Sequence, residues 1–340
     1  MTTAAKSTTV LAGDIGGTHT RLALFHADGG ELQLTAEKVY PSREYAGLEE
    51  IAIDFLRGQN TTVSAACFGI AGPVVNGKAK VSNLPWTVDA SAMAQSLRVA
   101  NVGSINVSLI NDLAAHASGI DALRESDFVT LNAGQAGEGN GALIAAGTGL
   151  GEAGLFWDGK QRLPFACEGG HADFAPTSEL EVRLYQYLAT KFGHVSCERV
   201  LSGPGLKNIY DFLRDSGVEQ EPAWLRDELA IHEDASALIS QYALAAKADI
   251  CVHSLDMFVA IYGSEAGNVA LRFLATAGVY VSGGIAGKIL GKLQSPAFLQ
   301  AFVAKGRMQP LLEQIPVKVI VNDKVGLLGA ARCALRPQAL

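Results

Sequence analysis

The chain has 340 residues, 49% of them hydrophobic and 18% charged, with a formal net charge of −7. That length exceeds one ordinary core and points to two domains, and the apolar content excludes a disordered chain. The acidic balance, without any run of Lys or Arg, argues against nucleic acid as a main partner.

No uninterrupted apolar stretch reaches membrane-spanning length. The longest, around residues 269–281, contains Arg272 and breaks at Gly283-Gly284, so no membrane partner is expected. Residues 1–9 are polar and too short for a secretion signal. Five dispersed cysteines (Cys67, Cys167, Cys197, Cys251 and Cys333), with no Cys-x-x-Cys, predict free thiols in a reducing cytoplasm and no cysteine zinc site.

A strand predicted over 9–12 runs into Gly13-Asp14-Ile15-Gly16-Gly17-Thr18, and a second strand follows over 21–25. Strand, glycine turn, strand is a hairpin whose backbone N–H groups an anion can approach closely. Asp14, at the end of a strand that should be buried, suits a hydrated cation beside phosphates. The two helix-opening phosphate motifs are excluded, because each needs a helix next. An ordinary hairpin turn is the alternative.

Helical periodicity follows over 48–57, then a strand over 64–70. Gly72-Pro73 signals a turn before the loop Ser82-Asn83-Leu84-Pro85-Trp86, where Trp86 is either core or the wall of a binding pocket. After a helix over 90–97, the strand over 107–110 ends in Asn111-Asp112 and a helix begins at 114. Open α/β sheets bind ligands at the carboxyl ends of their strands. There Asn111 can hydrogen-bond a substrate hydroxyl and Asp112 can accept its proton. The alternative is a helix N-cap, which Asn or Asp commonly fills.

Strands are predicted over 128–131 and 142–146. The second opens onto Gly147-Thr148-Gly149-Leu150-Gly151 and a further short strand over 153–157. This repeats the first hairpin about 130 residues later and suggests a duplicated fold with a nucleotide between the halves. Glu168-Gly169-Gly170-His171 sets polar side chains around a glycine turn, suited to adjacent sugar hydroxyls. A solvated turn and a metal site are the alternatives, though the spacing matches no standard zinc pattern. A helix over 178–192 precedes residues 194–206, read as a short helix with Ser196 as N-cap, Glu198 in its first turn, and a closing Gly203-Pro204-Gly205. Helices over 235–261 and 266–274, a strand over 279–281 with a third glycine turn at Gly283-Gly284, and a strand over 317–321 complete an α/β chain with a helix-rich second half.

Gly13-Asp14-Ile15-Gly16-Gly17-Thr18, Asn111-Asp112, Gly147-Thr148-Gly149-Leu150-Gly151, Glu168-Gly169-Gly170-His171, Glu198-Arg199-Val200-Leu201-Ser202-Gly203-Pro204-Gly205 and Gly326-Leu327-Leu328-Gly329 together resemble bacterial-type glucokinase. That family belongs to the superfamily of sugar kinases, heat-shock chaperone ATPases and actin. The match runs in order from about residue 9 to about residue 332. It implies a two-domain, actin-like (ribonuclease H-like) sugar kinase fold with a cleft between a small and a larger domain. The small domain is expected at 1–112 plus about 318–340, and the larger one, with helical insertions, at 113–317.

The resemblance implies ATP-dependent phosphorylation of the 6-hydroxyl of D-glucose, with ATP and Mg²⁺ as cofactors and a homodimer as the assembly. Asp112 would be the base. Asn111, Asp112, Glu168, His171 and Glu198 would hold glucose. Asp14 would act on Mg²⁺ through water. Gly13, Ile15, Gly16, Gly17 and Thr18, then Thr148 and Gly149, would lie at the phosphates, and Gly283-Gly284 at the adenosine. Related repressor-type sugar kinases carry a zinc-binding cysteine cluster after their Glu-x-Gly-His, and none follows His171 here. The alternatives are a kinase of another hexose or amino sugar, a sugar-sensing regulator or an actin-like ATPase. The acidic charge and the twelve residues before Gly13 disfavour the regulator, and the ATPase has no need of Glu168, His171 and Glu198.

Overall fold

The computed structural model describes residues 8–28, 31–59, 61–100, 102, 105–135 and 137–336. Residues 1–7, most of the segment read as too short for a secretion signal, lie outside them. The chain begins β1 (Thr8–Ile15), β2 (His19–Asp28), β3 (Glu31–Pro41), α1 (Leu48–Arg57), β4 (Ala65–Ile70), β5 (Val74–Val75), β6 (Lys78–Lys80), β7 (Thr87–Asp89), α2 (Ala90–Val99), β8 (Asn106–Asn111) and α3 (Asp112–Gly119). It continues with β9 (Phe128–Asn132), β10 (Gly141–Ala146), β11 (Leu150–Trp157), β12 (Arg162–Cys167), α4 (Glu179–Phe192), α5 (Gly203–Asp215), α6 (Ala223–Ile231), α7 (Ala235–Leu244) and α8 (Asp249–Phe273). The last elements are β13 (Gly278–Ser282), α9 (Gly284–Lys288), α10 (Leu290–Leu293), α11 (Pro296–Val303), α12 (Gln309–Gln314), β14 (Val317–Ile320) and α13 (Val325–Leu335). Among the described residues no helix is long and apolar enough to cross a membrane.

Two compact units divide the chain: residues 1–127 with 322–340, and residues 128–321. The sequence-based division after Asp112 and near residue 317 falls elsewhere, because α3 packs on α13 and β14 joins the second sheet. A Cβ on Gly119 would overlap the Val325 carbonyl, and one on Gly329 the Ala115 carbonyl, so only glycines allow the α3–α13 crossing.

The first unit's sheet runs β3-β2-β1-β4-β8. β1 is antiparallel to β2 and parallel to β4, β4 is parallel to β8, and β2 is antiparallel to β3. The central strand β1 is buried on both faces, which is why Val10-Leu11-Ala12 reads as a continuous apolar run. On one face Leu11, Leu24 and Phe68 meet Ile51 and Phe55 of α1 and Met93 and Leu97 of α2. On the other, Val10, Ala12, Phe25 and Cys67 meet Leu327, Ala330 and Ala331 of α13. α1 buries Leu48, Ile51, Ala52 and Phe55, the spacing of one helical face.

The second unit's sheet runs β12-β11-β10-β13-β14-β9. Its first five strands repeat the order and directions of the first sheet: two antiparallel pairings, then two parallel ones. The duplication suggested by the two glycine hairpins is thus a duplication of whole sheets. The helical prediction here needs one correction. The break falls at residues 245–248, where Ala246 adopts φ 49°, and α8 runs unbroken through Gly263 and Gly267. Those glycines are contacts, not breaks: a Cβ on Gly263 would overlap the Phe298 carbonyl, and one on Gly267 would stand 2.5 Å from the Phe302 carbonyl of α11.

Candidate active site

In the first unit, β1 and β2 stay paired to Ile15 opposite Thr20, and the Gly16 N–H closes the turn onto the His19 carbonyl at 3.0 Å. No helix follows, as the hairpin reading requires. Ser42, which sequence reading passed over, braces this turn: its Oγ donates to Gly16 O at 2.9 Å, and its N–H donates to Thr18 O at 2.9 Å. Gly17 lies against the loop after β6, where a Cβ would stand 3.0 Å from Ser82 O. Gly13 has a packing reason, since a Cβ there would overlap the Phe68 ring. Trp86 is core: it is buried, and its Nε1 donates to Tyr45 O at 3.2 Å.

Asp14 stands one pair before the end of the hairpin ladder, opposite Arg21, which ion-pairs Asp323 and Glu37. Gly326, at the start of α13, leaves room beside it: a Cβ there would come 3.5 Å from Asp14 Oδ2 and 3.0 Å from the His116 ring. His116, on α3, was also passed over. Burial holds its pKa below the ordinary histidine value, although the Asp14 charge pulls the other way.

Both residues of the Asn111-Asp112 step accept hydrogen bonds at the start of α3. Asn111 is the N-cap of α3, its Oδ1 accepting from Leu113 N at 3.0 Å and Ala114 N at 3.3 Å, while its Nδ2 donates to Gly72 O at 3.2 Å. Asp112 is the first helical residue, and its Oδ1 accepts from Leu113 N at 2.9 Å. The cap therefore does not depend on Asp112, whose carboxylate stands at the carboxyl end of a parallel strand.

In the second unit, β10 and β11 stay paired to Ala146 opposite Leu150, and Gly147 N donates to Gly149 O at 2.8 Å across the turn containing Thr148. Gly283, at φ 89°, packs on this same strand end: a Cβ there would overlap the Ala146 carbonyl. The third glycine turn opens the short helix α9, so Gly283 and Gly284 lie at a strand-to-helix junction.

The 194–206 segment differs from its prediction. Residues Cys197–Arg199 form a single tight turn, and Ser196 makes no side-chain cap. Gly203-Pro204-Gly205 opens α5 instead of closing a helix: Ser202 Oγ caps Gly205 N at 3.0 Å, and Pro204 sits where a helix start tolerates it. Glu198 has a partner that its capping-turn reading did not foresee. Its Oε2 accepts from Leu150 N at 3.0 Å, and a Cβ on Gly149 would stand 2.5 Å from that oxygen. Glu198 is thereby tied to the Thr148-Gly149 turn.

Glu168 and His171 flank a tight turn that follows β12, with His171 N donating to Glu168 O at 3.0 Å and the two side chains 3.9 Å apart. Both are exposed, at 71% and 61% of their side-chain surface. This turn is anchored to the 194–198 segment by Phe174 N to Val195 O and Cys197 N to Ala172 O, both 2.9 Å, and by Asp173 with His194 at 2.8 Å. Glu168, His171 and Glu198 therefore belong to one connected set of loops, joined through Glu198 to the second hairpin. Among the described residues no group of three or more His, Cys, Asp or Glu side chains could hold a metal ion.

A family model described as Glucokinase matches residues 11–337. The chain belongs to the glucokinase family. It is 43% identical over 345 residues to the glucokinase of Nostoc sp. (strain PCC 7120 / SAG 25.82 / UTEX 2576), covering 97% of this chain and 99% of that one. It is 36% identical over 325 residues to the glucokinase of Yersinia pestis (strain Pestoides F), covering 95% of each. The crystal structure of a glucokinase from an Antarctic psychrotroph matches with a TM-score of 0.83 at 30% identity, over 96% of this chain and 98% of that one. The duplicated α/β sheets are thus the actin-like fold of sugar kinases, and the chain is an enzyme of the glucokinase family. Every segment that carried the resemblance lies inside the family match.

Proposed function

We propose that this enzyme transfers the γ-phosphoryl group of ATP to the 6-hydroxyl of D-glucose, with Asp112 as the general base. One observation supports the base assignment: Asp112 follows Asn111 at the carboxyl end of the parallel strand β8, the place where open α/β sheets bind their ligands. Phosphoryl transfer needs mostly positioning and charge neutralisation, with a base at the acceptor oxygen. Asp112 accepts the hydroxyl proton as the oxygen attacks and keeps that oxygen oriented, an effect typically worth ~10²–10⁴ in rate. Asn111, Glu168, His171 and Glu198 hold the sugar hydroxyls. The turn through Gly16 offers the Gly17 and Thr18 N–H groups, and the Thr148-Gly149 turn its own, to the phosphates, and at Gly283-Gly284 the open Cβ position of Gly284 faces the adenosine.

The donor set fits Mg²⁺. Asp14 is a carboxylate at the glycine hairpin that the proposal places at the phosphates, and Mg²⁺ takes one or two carboxylates together with waters and phosphate oxygens. When bound, the ion supplies charge neutralisation on those phosphate oxygens. The same proposal includes a homodimer, supported by the family resemblance alone, and a reducing cytoplasmic setting, supported by five free thiols. A coupled assay of ADP release across a sugar panel tests the function. Glucose-dependent release is expected, and release that is independent of sugar would make the chain an ATPase. Preference for another hexose or an amino sugar would move the substrate assignment while leaving the roles intact.

A further inference from the structure

Under the 168–171 turn lies a buried ionic cluster that the proposed chemistry does not use. Glu152, on β11, is 1% exposed, and Glu265, on α8, is 4% exposed. Arg272 Nη1 donates to Glu265 Oε1 at 2.7 Å but lies 3.7 Å from Glu152 Oε2. Asn268 Nδ2 also donates to Glu265, at 2.8 Å. Two acids share one cation, and Glu265 holds most of it. Glu152 Oε1 is buried without a hydrogen-bond partner. An ionised oxygen in that position is costly, whereas a protonated Glu152 can donate to the Glu265 carboxylate. Burial first, and then the Glu265 charge, push the Glu152 carboxyl up to about 7 against the pull of Arg272.

The turn rests on this carboxyl group. A Cβ on Gly169 would overlap Glu152 Oε2, so the backbone of the turn is in contact with it. Cys167, the last residue before Glu168, pairs with Glu152 across the β11–β12 ladder, and its Sγ donates to Glu152 O at 3.4 Å. The groups that face Glu152 are Cys167 from β12, Cys197 from the next loop, and Tyr262, Glu265 and Arg272 from α8. Lys305, beyond α11, acts on Glu265 and Arg272. Burial pushes both thiols and the Tyr262 phenol up, so Glu152 loses its proton before any of them.

We propose that Glu152 is a positioning residue for the 168–171 turn, and that its protonation sets how firmly that turn holds the sugar. This rests on the reading that Glu168 and His171 bind sugar hydroxyls. Neutral, Glu152 gives the turn an uncharged floor and a donor to Glu265. Ionised, it sets two carboxylates against one guanidinium directly beneath Gly169. Sugar affinity therefore falls as pH rises through neutrality.

Glucose binding to the full chain, read by calorimetry from about pH 5.5 to about pH 8.5, spans the Glu152 titration. The expected Kd rises roughly 3- to 10-fold across that range, the size of a coupling between contacting groups. Glu152→Gln keeps the volume and the donor to Glu265, and should match the unaltered protein at low pH and lose that rise. The readout is the difference between the two profiles, which cancels every pH effect the two proteins share. Superposable profiles overturn the proposal. Arg272→Gln removes the shared cation and should move the midpoint to higher pH. An unmoved midpoint overturns the proposal whether or not the Glu152 variant folds. Glu168→Gln, measured at about pH 6, separates the two readings. Undiminished glucose binding there removes the turn from the sugar site and ends both, whereas weakened binding with superposable Glu152→Gln profiles ends only the role of Glu152.

Discussion

The two glycine hairpins sit at the same place in two sheets of the same order and direction, yet each meets its carboxylate by a different route. In the first unit the acid is in the strand: Asp14 stands one pair before the end of the ladder, opposite Arg21. In the second unit the same step is Ala145 opposite Gly151, and the acid arrives from 48 residues away as Glu198, bound to Leu150 N. The bracing differs too. Ser42 pins the first turn through its hydroxyl and its amide, while Gly283 packs against the strand end of the second. Duplication has preserved the strand scaffold and not the chemistry laid upon it. The proposed roles follow the same split, with cation handling and proton transfer assigned to the first unit and sugar holding largely to the second.

The largest effect expected from this split is on turnover. Asp112→Asn should lower kcat by ~10²–10⁴ while glucose still binds, because Asn111 keeps the helix capped and only the proton acceptor is lost. Steady-state kinetics beside calorimetry would check this. Activity within a few-fold of the unaltered enzyme would make Asp112 a structural residue and dissolve the division of labour. Next comes Glu168→Gln, which should raise the glucose KM by the equivalent of ~1–3 kcal/mol and leave kcat nearly unchanged, as for a lost hydrogen bond to a charged group. A fall confined to kcat would place second-unit chemistry where only binding is expected.

Gly283→Ala probes the scaffold itself. The new Cβ meets the Ala146 carbonyl at a φ that L-residues rarely adopt, so a loss of ~1–3 kcal/mol is expected, read as a lower Tm. An unchanged Tm would mean that the strand end yields without cost. The last test concerns Glu152. Its carboxyl ionises near 4.5 when unfolded and near 7 when folded, so the unfolded chain releases that proton first. Stability from this group is complete below about pH 4.5 and is lost as pH rises through about 7. Urea midpoints across that range, compared with those of Glu152→Gln, measure it, and equal slopes would show that Glu152 does not titrate there.

What could be read from the sequence follows from what each signal measures. Strands of the parallel core, such as β1, β4 and β10, are apolar runs because both of their faces are covered. The edge strands β3 and β12 were missed: one begins by alternating exposed polar residues with half-buried ones, and the other carries Pro164 in an exposed pattern. The break predicted between residues 261 and 266 is absent: Gly263 lies there, and sequence shows a glycine's freedom but not the neighbour that needs its small size. Gly203-Pro204-Gly205 was legible as a boundary but not as to which side the helix lay. The candidate site residues stand in motifs that the sequence displays. Their partners were not legible, since Glu198 to Leu150 and Glu152 to Glu265 join segments far apart in the chain.

The helix α13 gives the molecule a chronology. The second unit is one continuous stretch of chain, whereas the first is written in two pieces, with residues 325–335 closing over Val10, Ala12, Phe25 and Cys67. On the ribosome the second unit therefore has all its residues before the first does. The strands of the first unit wait with one apolar face uncovered while some two hundred residues are made, and α13, which follows the whole of the second unit, is the piece that shuts that face.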